Sequence, residues 1–324
     1  MNKNAKWIWL DEEIYPQCQK SELTFFDEER KEYAYTVAEF KILKKYEKKI
    51  VRAEIDISAD VKFWLYANGG YVGTGPVCAG GDYANVKPMP KQYYNSYIVE
   101  MDSQSAEFYV IVQKNITVQC DMSQGRPGMI FCAKLCFEDG TEEFVQSGRD
   151  WMARRDRRRY AVGRTDYTVC RDKWAAAQEV TGVWNLVKAP IEMLAEEEVF
   201  PADFSPITVM PGETKTINVD FDKIYSCYYH LVVNAEDNYV IQIADYEKDE
   251  SKAEVVDTVI AKGNVDFRSL QMTSVGSAKL YITNGGKKPL TIDRFSLYFD
   301  YYPISDEGSF ECSDDILNKA YDMG

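Results

Sequence analysis

Four tyrosines, Tyr83, Tyr93, Tyr94 and Tyr97, crowd a stretch punctuated by Gly80-Gly81-Asp82 and Pro88-Met89-Pro90. Aromatic faces lie well against the apolar faces of pyranose rings, with nearby amides and acids on the hydroxyls, so a cluster of this kind is a candidate sugar-binding patch. Packing of the loop against a sandwich or a further domain is the competing role. A second concentration of chemistry is basic: Arg149, Arg154, Arg155, Arg157, Arg158 and Arg159, interrupted by Asp150 and Asp156. The arginine fork matches carboxylates two oxygens at a time, so Arg154, Arg155 and Arg157 to Arg159 are expected to pair with acids across a domain or subunit interface. The acidic connector Glu192–Glu198 is one candidate partner. No nucleic-acid partner is expected, because no stacking platform accompanies the arginines and the chain carries a net charge of −14.

Other chemistries are thin. Asp and Glu number 52, yet none stands in a context that marks an acid/base pair, and no catalytic residue is assigned. His230 is the only histidine and falls in an expected strand, where packing is its expected role; a site needing two imidazoles is ruled out. The eight cysteines, at 18, 78, 120, 132, 136, 170, 227 and 312, contain no CxxC. Cys132 and Cys136 fall in a strand-like run, where four residues span about 13 Å, too far for a disulfide or a shared metal. Reduced thiols, no metal, no calcium ligand spacing and no cofactor are expected. Gly73-Thr-Gly-Pro is turn chemistry, since no Lys-Ser/Thr follows to make a phosphate cradle. No apolar run precedes Asp11-Glu-Glu and none approaches membrane-spanning length, so a cytoplasmic protein without a membrane partner is expected.

Alternation at a period of two dominates the elements that must position these groups. In residues 50–57, Val51, Ala53, Ile55 and Ile57 face one way and Arg52, Glu54 and Asp56 the other. Residues 61–67 run into Asn68-Gly69, which tolerates the positive φ of a tight hairpin, and Met129–Glu138 turns at Asp139-Gly140. Further strands are expected at 35–43, 107–113 and 116–120. Beyond the acidic connector a second set follows at 214–221, 228–234, 239–245, 278–283 and 290–301. The spacing predicts an all-β fold of two consecutive antiparallel, jelly-roll-like sandwiches, residues 1–200 with the connector and residues 201–303, followed by a linker and helix over 304–324. Ser313 is the expected N-cap of that helix, and Ile316, Leu317, Ala320 and Tyr321 form its apolar stripe. A helix so short needs a surface to cover, which predicts that Ile316, Leu317 and Tyr321 meet a partner and that further helical chain follows.

Several segments, taken in order, resemble the N-terminal region of bacterial α-L-rhamnosidases of glycoside hydrolase family 78. They are Trp7-Ile-Trp9, the run Ile57 to Pro76, Phe137-Glu-Asp-Gly-Thr through Trp151, and the connector Pro190 to Val199. The run Gly308-Ser-Phe-Glu-Cys-Ser-Asp-Asp-Ile-Leu-Asn318 is similar to the lead-in to that family's (α/α)6 catalytic barrel. The family often carries an aromatic, Arg-containing stretch where this chain has Met272–Ala278. The resemblance implies a parent that cleaves terminal α-L-rhamnosides with inversion, one carboxyl protonating the leaving oxygen and another activating water from about 6.5–9.5 Å away. It places both carboxyls in the barrel, so this chain is expected to be a non-catalytic accessory region. Its expected partners are that barrel, a second copy of the chain, and rhamnosides or plant glycans. A freestanding carbohydrate-binding protein and an assembly module are the alternatives.

Overall fold

The computed structural model describes residues 4–11, 35–77, 92–115, 127–181, 184–246, 250–303 and 308–323. The first half is organised by one ribbon. Strands Tyr35–Asp60 and Gln92–Asn115 pair antiparallel from Tyr35 opposite Asn115 to Ile57 opposite Asn95. Register slips between Lys45 and Ile50, and between Ile50 and Arg52, bend the ribbon, as extra residues in one strand do. The part carrying Ala38 and Phe40 is flanked by Lys62–Ala67 and Met152–Arg155. The part carrying Ile55 and Ile57 is flanked by Gly128–Phe137 and Leu186–Lys188. One ribbon therefore supplies both layers of a sandwich. Phe40, Phe63 and Phe108 from one layer meet Ile55, Phe131 and Leu135 from the other in a single core.

The second sandwich repeats the device. In Thr214–Asn234, residues 214–220 pair with Thr273–Asn284, whereas residues 230–233 lie between Leu290–Tyr301 and Val265–Arg268. The register slips between Asp220 and Tyr225. Asn238–Tyr246 and Glu254–Lys262 extend the first of these layers, and Leu231, Ile241, Phe267, Leu280 and Phe295 fill the core between them. The fold is the all-β, two-sandwich architecture expected, with one short helix, Asp315–Met323, after it. Both anticipated tight turns form. Asn68 and Gly69 adopt φ of 46° and 80°, and Gly140 a φ of 80°.

Three features differ from expectation. The strands are longer, because charged stretches such as Lys44-Lys45-Tyr46-Glu47-Lys48-Lys49 form the solvated outside of a bend rather than a loop. Residues 93–97 belong to a strand, not to a turn-rich loop; the expected strand at 116–120 lies outside the described residues. Sheet membership also does not change at residue 200. Arg159–Ala161 and Arg164–Asp166 join the second sheet, the latter parallel to Glu254–Lys262. The chain then returns to the first through Ala175–Ala176, Gln178–Glu179 and Leu186–Lys188. It leaves again as Ala195–Val199, an edge strand on Leu290–Tyr301. The turn of the outgoing arm requires Gly163: its φ is 67°, and a Cβ there would stand 2.1 Å from the Val256 carbonyl oxygen. Among the described residues, no helix is long and apolar enough to cross a membrane, and Cys132, Cys136, Cys170, Cys227 and Cys312 are in no disulfide.

Candidate functional site

The strand placement of Gln92–Asn115 separates the tyrosines. Neighbouring residues of a strand point to opposite faces, so Tyr93 and Tyr97 share one face and Tyr94 takes the other. The Tyr97 ring lies against Gly73 and meets Phe63 edge to face at 6.4 Å, and its hydroxyl donates to the Thr74 carbonyl at 2.8 Å. Burial pushes its phenol up from 10, and its contacts with Gly73, Phe63 and Thr74 are those of a packed ring. Tyr93 and Tyr94 are half-buried, their backbone carbonyls accepting from Ser58 Oγ and the Ala189 amide. Tyr83 lies outside the described residues. The β-rich, aromatic run Gln92-Tyr-Tyr-Asn-Ser-Tyr-Ile-Val was the signal for this strand, masked by the glycines and prolines before it.

The arginines converge on an acid that sequence reasoning did not single out. Glu39 lies directly across from Arg154 on the neighbouring strand and is 1% exposed. Arg154 Nε donates to its carboxylate, Arg171 Nη1 stands 3.4 Å away, and Arg158 Nη2 3.5 Å away. Arg158 also forks onto both oxygens of Asp156 at 2.7 Å, and Arg157 pairs with Asp172. Burial pushes the Asp156 carboxyl up, but the charges and hydrogen bonds of Arg158, with Arg159 and Arg171, outweigh it and hold the group below its ordinary value. The Arg154 guanidinium lies 4.2 Å over the Trp174 ring. Arg155 is buried beside Ala38, its carbonyl accepting from the Asp172 amide. Arg159 crosses to the second sandwich, donating to the Arg268 carbonyl at 3.0 Å. The ion pairs described for the acidic connector are made to other groups. Glu196 and Glu198 serve the second sandwich instead.

That sandwich presents a polar face to the first. Along Leu290–Tyr301, Ser296, Tyr298 and Asp300 share the face opposite to the core residues Phe295 and Leu297, and this face is covered. Trp64 and Tyr228, both fully buried, meet edge to face at 6.3 Å, with Tyr35, Val37 and Leu270 completing an apolar seam. Beside them, Arg268 lies 4.4 Å over Tyr71 of one sandwich and 4.4 Å over Tyr298 of its own, while its fork holds Glu196. Burial works against its charge, and the Glu196 hydrogen bonds more than restore it. Lys62 reaches across the seam to donate to the Tyr228 hydroxyl. Burial lowers the ammonium to about 8, against which the Asp300 carboxylate pulls. Asp300 stands opposite Glu196 in register, is 7% exposed, and leaves Oδ2 without a partner. Burial, and next the neighbouring Glu196 carboxyl, raise it to about 6 in spite of Lys62 and Arg268.

His230, expected to be packed, sits on the same face. It bridges Glu198 Oε1 (2.8 Å) and Asp266 Oδ1 (3.1 Å), stacked on Tyr298 at 4.9 Å. Asp257 is a further buried acid, raised to about 7 chiefly by burial. It borders a void of about 10 Å³, room for one water and none for a sugar ring. Two open grooves of about 500 Å³ lie elsewhere. One crosses the outer face of the first sandwich, with Glu54, Asp56, Ser96, Lys134 and Lys188 beside the exposed Ile98 and Phe144. The other runs along the second between Phe204, Ile207, Ile217 and Phe221. Among the described residues, no group of three or more His, Cys, Asp or Glu is arranged to hold a metal ion.

The helix Asp315–Met323 is capped by Asp314 rather than Ser313, with Asp314 Oδ1 accepting from the Ile316 amide at 2.8 Å and the Leu317 amide at 3.4 Å. Asn318 ties the helix to Cys312 through both backbone groups at 2.8 Å, and Phe310 packs on Tyr321. Its apolar stripe lies open. Ile316 is 76% exposed, Leu317 54% and Tyr321 47%.

No family model matches the chain, and no curated protein matches it in sequence. Solved structures do match in fold. A GH78 family rhamnosidase of Bacillus sp. GL1 aligns with 99% of this chain at a TM-score of 0.70 and 13% identity. The α-L-rhamnosidases of Dictyoglumus thermophilum and Aspergillus terreus align with 98% of it, at TM-scores of 0.59 and 0.60 and identities of 18% and 14%. This chain spans 57% of the first of those proteins and 38% of each of the other two, so its two sandwiches have the fold of a part of each rhamnosidase.

Proposed function

We propose that residues 1–324 form the non-catalytic β-sandwich region of a glycoside hydrolase related to the α-L-rhamnosidases, one that removes terminal α-L-rhamnose with inversion. The observation that carries this reading is the match of nearly the whole chain to part of each rhamnosidase. The disposition of the acids supports it. Inversion needs two carboxyls flanking a sugar, about 6.5–9.5 Å apart. The described buried acids with raised proton affinity are used otherwise, Asp257 beside a one-water void and Asp300 within the seam. The open stripe Ile316, Leu317 and Tyr321 is the docking face for a helical catalytic domain. The test compares residues 1–324 with the complete product of their gene on an aryl α-L-rhamnoside, following the anomeric proton by NMR. Turnover with inversion is expected from the complete product and none from residues 1–324. Release of rhamnose by residues 1–324 alone overturns the accessory role.

A second reading, carbohydrate binding without chemistry, is favoured by the outer groove of the first sandwich, where Phe144 offers an exposed ring among Asp56, Ser96 and Lys188. Calorimetric titration with L-rhamnose tests it, and absence of saturable heat at millimolar sugar removes it for that ligand.

A further inference from the structure

Beside its apolar groups, the seam between the sandwiches holds two acids and two bases. Glu196 and Asp300 are paired in register across neighbouring strands, and Asp300 keeps one buried oxygen without a partner. Lys62 approaches from the first sandwich and Arg268 from the second, so the cluster exists only while the two are docked. Two ionised carboxylates side by side repel unless a proton lies between them. Among the described residues, the phenols of Tyr71, Tyr97 and Tyr228 and the thiol of Cys227 also act on Asp300, all shifted upward and neutral in the ordinary range. We propose that the Glu196–Asp300 pair, clasped between Lys62 and Arg268, is a proton-operated fastener that docks the two sandwiches more tightly in mild acid than at neutral pH.

The sign follows from linkage. Asp300 stands at about 6 in the docked molecule against an ordinary 3.8, chiefly through burial at the seam, so its contribution is complete below the ordinary value and is lost as pH rises through about 6. Lys62 stands at about 8 in the docked molecule against an ordinary 10.5, again chiefly through burial, so docking gains again only as pH climbs above about 8. Docking is therefore weakest between about pH 6 and 8. The inference is independent of any enzymatic activity.

Amide hydrogen exchange tests it at pH 5 and pH 7, with intrinsic rates divided out. Strands Lys62–Ala67 and Val265–Arg268, which flank the seam, are expected to be better protected at pH 5 by up to about tenfold, the full ratio that linkage gives for a carboxyl at about 6 against 3.8. Core residues 279–282 serve as the internal reference and change less. Asp300→Asn is expected to show the pH 5 level of seam protection at both pH values. Equal protection of the wild-type seam at both pH values overturns the proposal. Should the variant not fold, carboxyl ¹³C titration of the wild type decides: an Asp300 midpoint near 6 supports the fastener, and one near 4 sinks it.

Discussion

Asp156 and Asp300 are both almost fully buried, and both have arginine close by, yet burial wins at one and loses at the other. At Asp156 the Arg158 fork satisfies both oxygens, and Arg159 and Arg171 add charge of the same sign. At Asp300 the nearby guanidinium is already spent on Glu196, and that second carboxyl adds repulsion. The lesson is one of stoichiometry. A buried acid surrounded by a surplus of bases is a permanent ion, whereas one sharing its bases with another acid becomes a titrating group near neutrality.

The hardest blow to this contrast falls on Glu39. Glu39→Ala would leave Arg154 and Arg158 facing each other at a buried site, and a loss of about 3–5 kcal/mol in urea unfolding is expected. A loss below about 1 kcal/mol would show that the arginines are not held by this acid. Asp156→Asn is expected to cost about 2 kcal/mol at pH 7, because a charge-assisted fork is removed. Since Asp156 is held below its ordinary value, that stability is present at neutral pH and fades as pH falls through and below about 3.8, so the two proteins should converge in acid. Arg268→Lys keeps the charge but gives up the fork on Glu196 and the stacking between Tyr71 and Tyr298; about 1–2 kcal/mol is expected from the same urea measurement. Ile316→Asp marks the low end. The side chain is 76% exposed, and a change within about 0.5 kcal/mol is expected. A larger loss would mean that the stripe already packs on its own chain.

Much of the architecture is readable from local pattern. The alternation of Val51, Ala53, Ile55 and Ile57 with Arg52, Glu54 and Asp56 gives the strand and its faces, and Asn68-Gly69 gives the turn, because both depend on neighbours in sequence. What bends a strand is less legible. The run from Lys44 to Lys49 has the composition of a loop, yet it continues the strand, with Lys44 and Lys45 paired to Ala106 and Ser105 before the register slips. The candidate sites were least legible. Nothing around Glu39 distinguishes it from other strand acids until Arg154, Arg158 and Arg171 close over it. The polar side of Leu290–Tyr301 reads as a solvated face, yet it is buried beneath groups from Lys62 to Arg268 that no sequence window brings together.

The excursion of residues 159–166 into the second sheet, and the return at residues 175–188, lace the two sandwiches together. Cutting the polypeptide at any single bond between them strips one sheet of strands that the other piece carries off. Such halves would expose raw hydrogen-bonding edges and invite sticking or strand exchange between molecules. Anyone wishing to dissect the molecule, or graft one sandwich onto another protein, must carry this lacing along or rebuild it with a new edge.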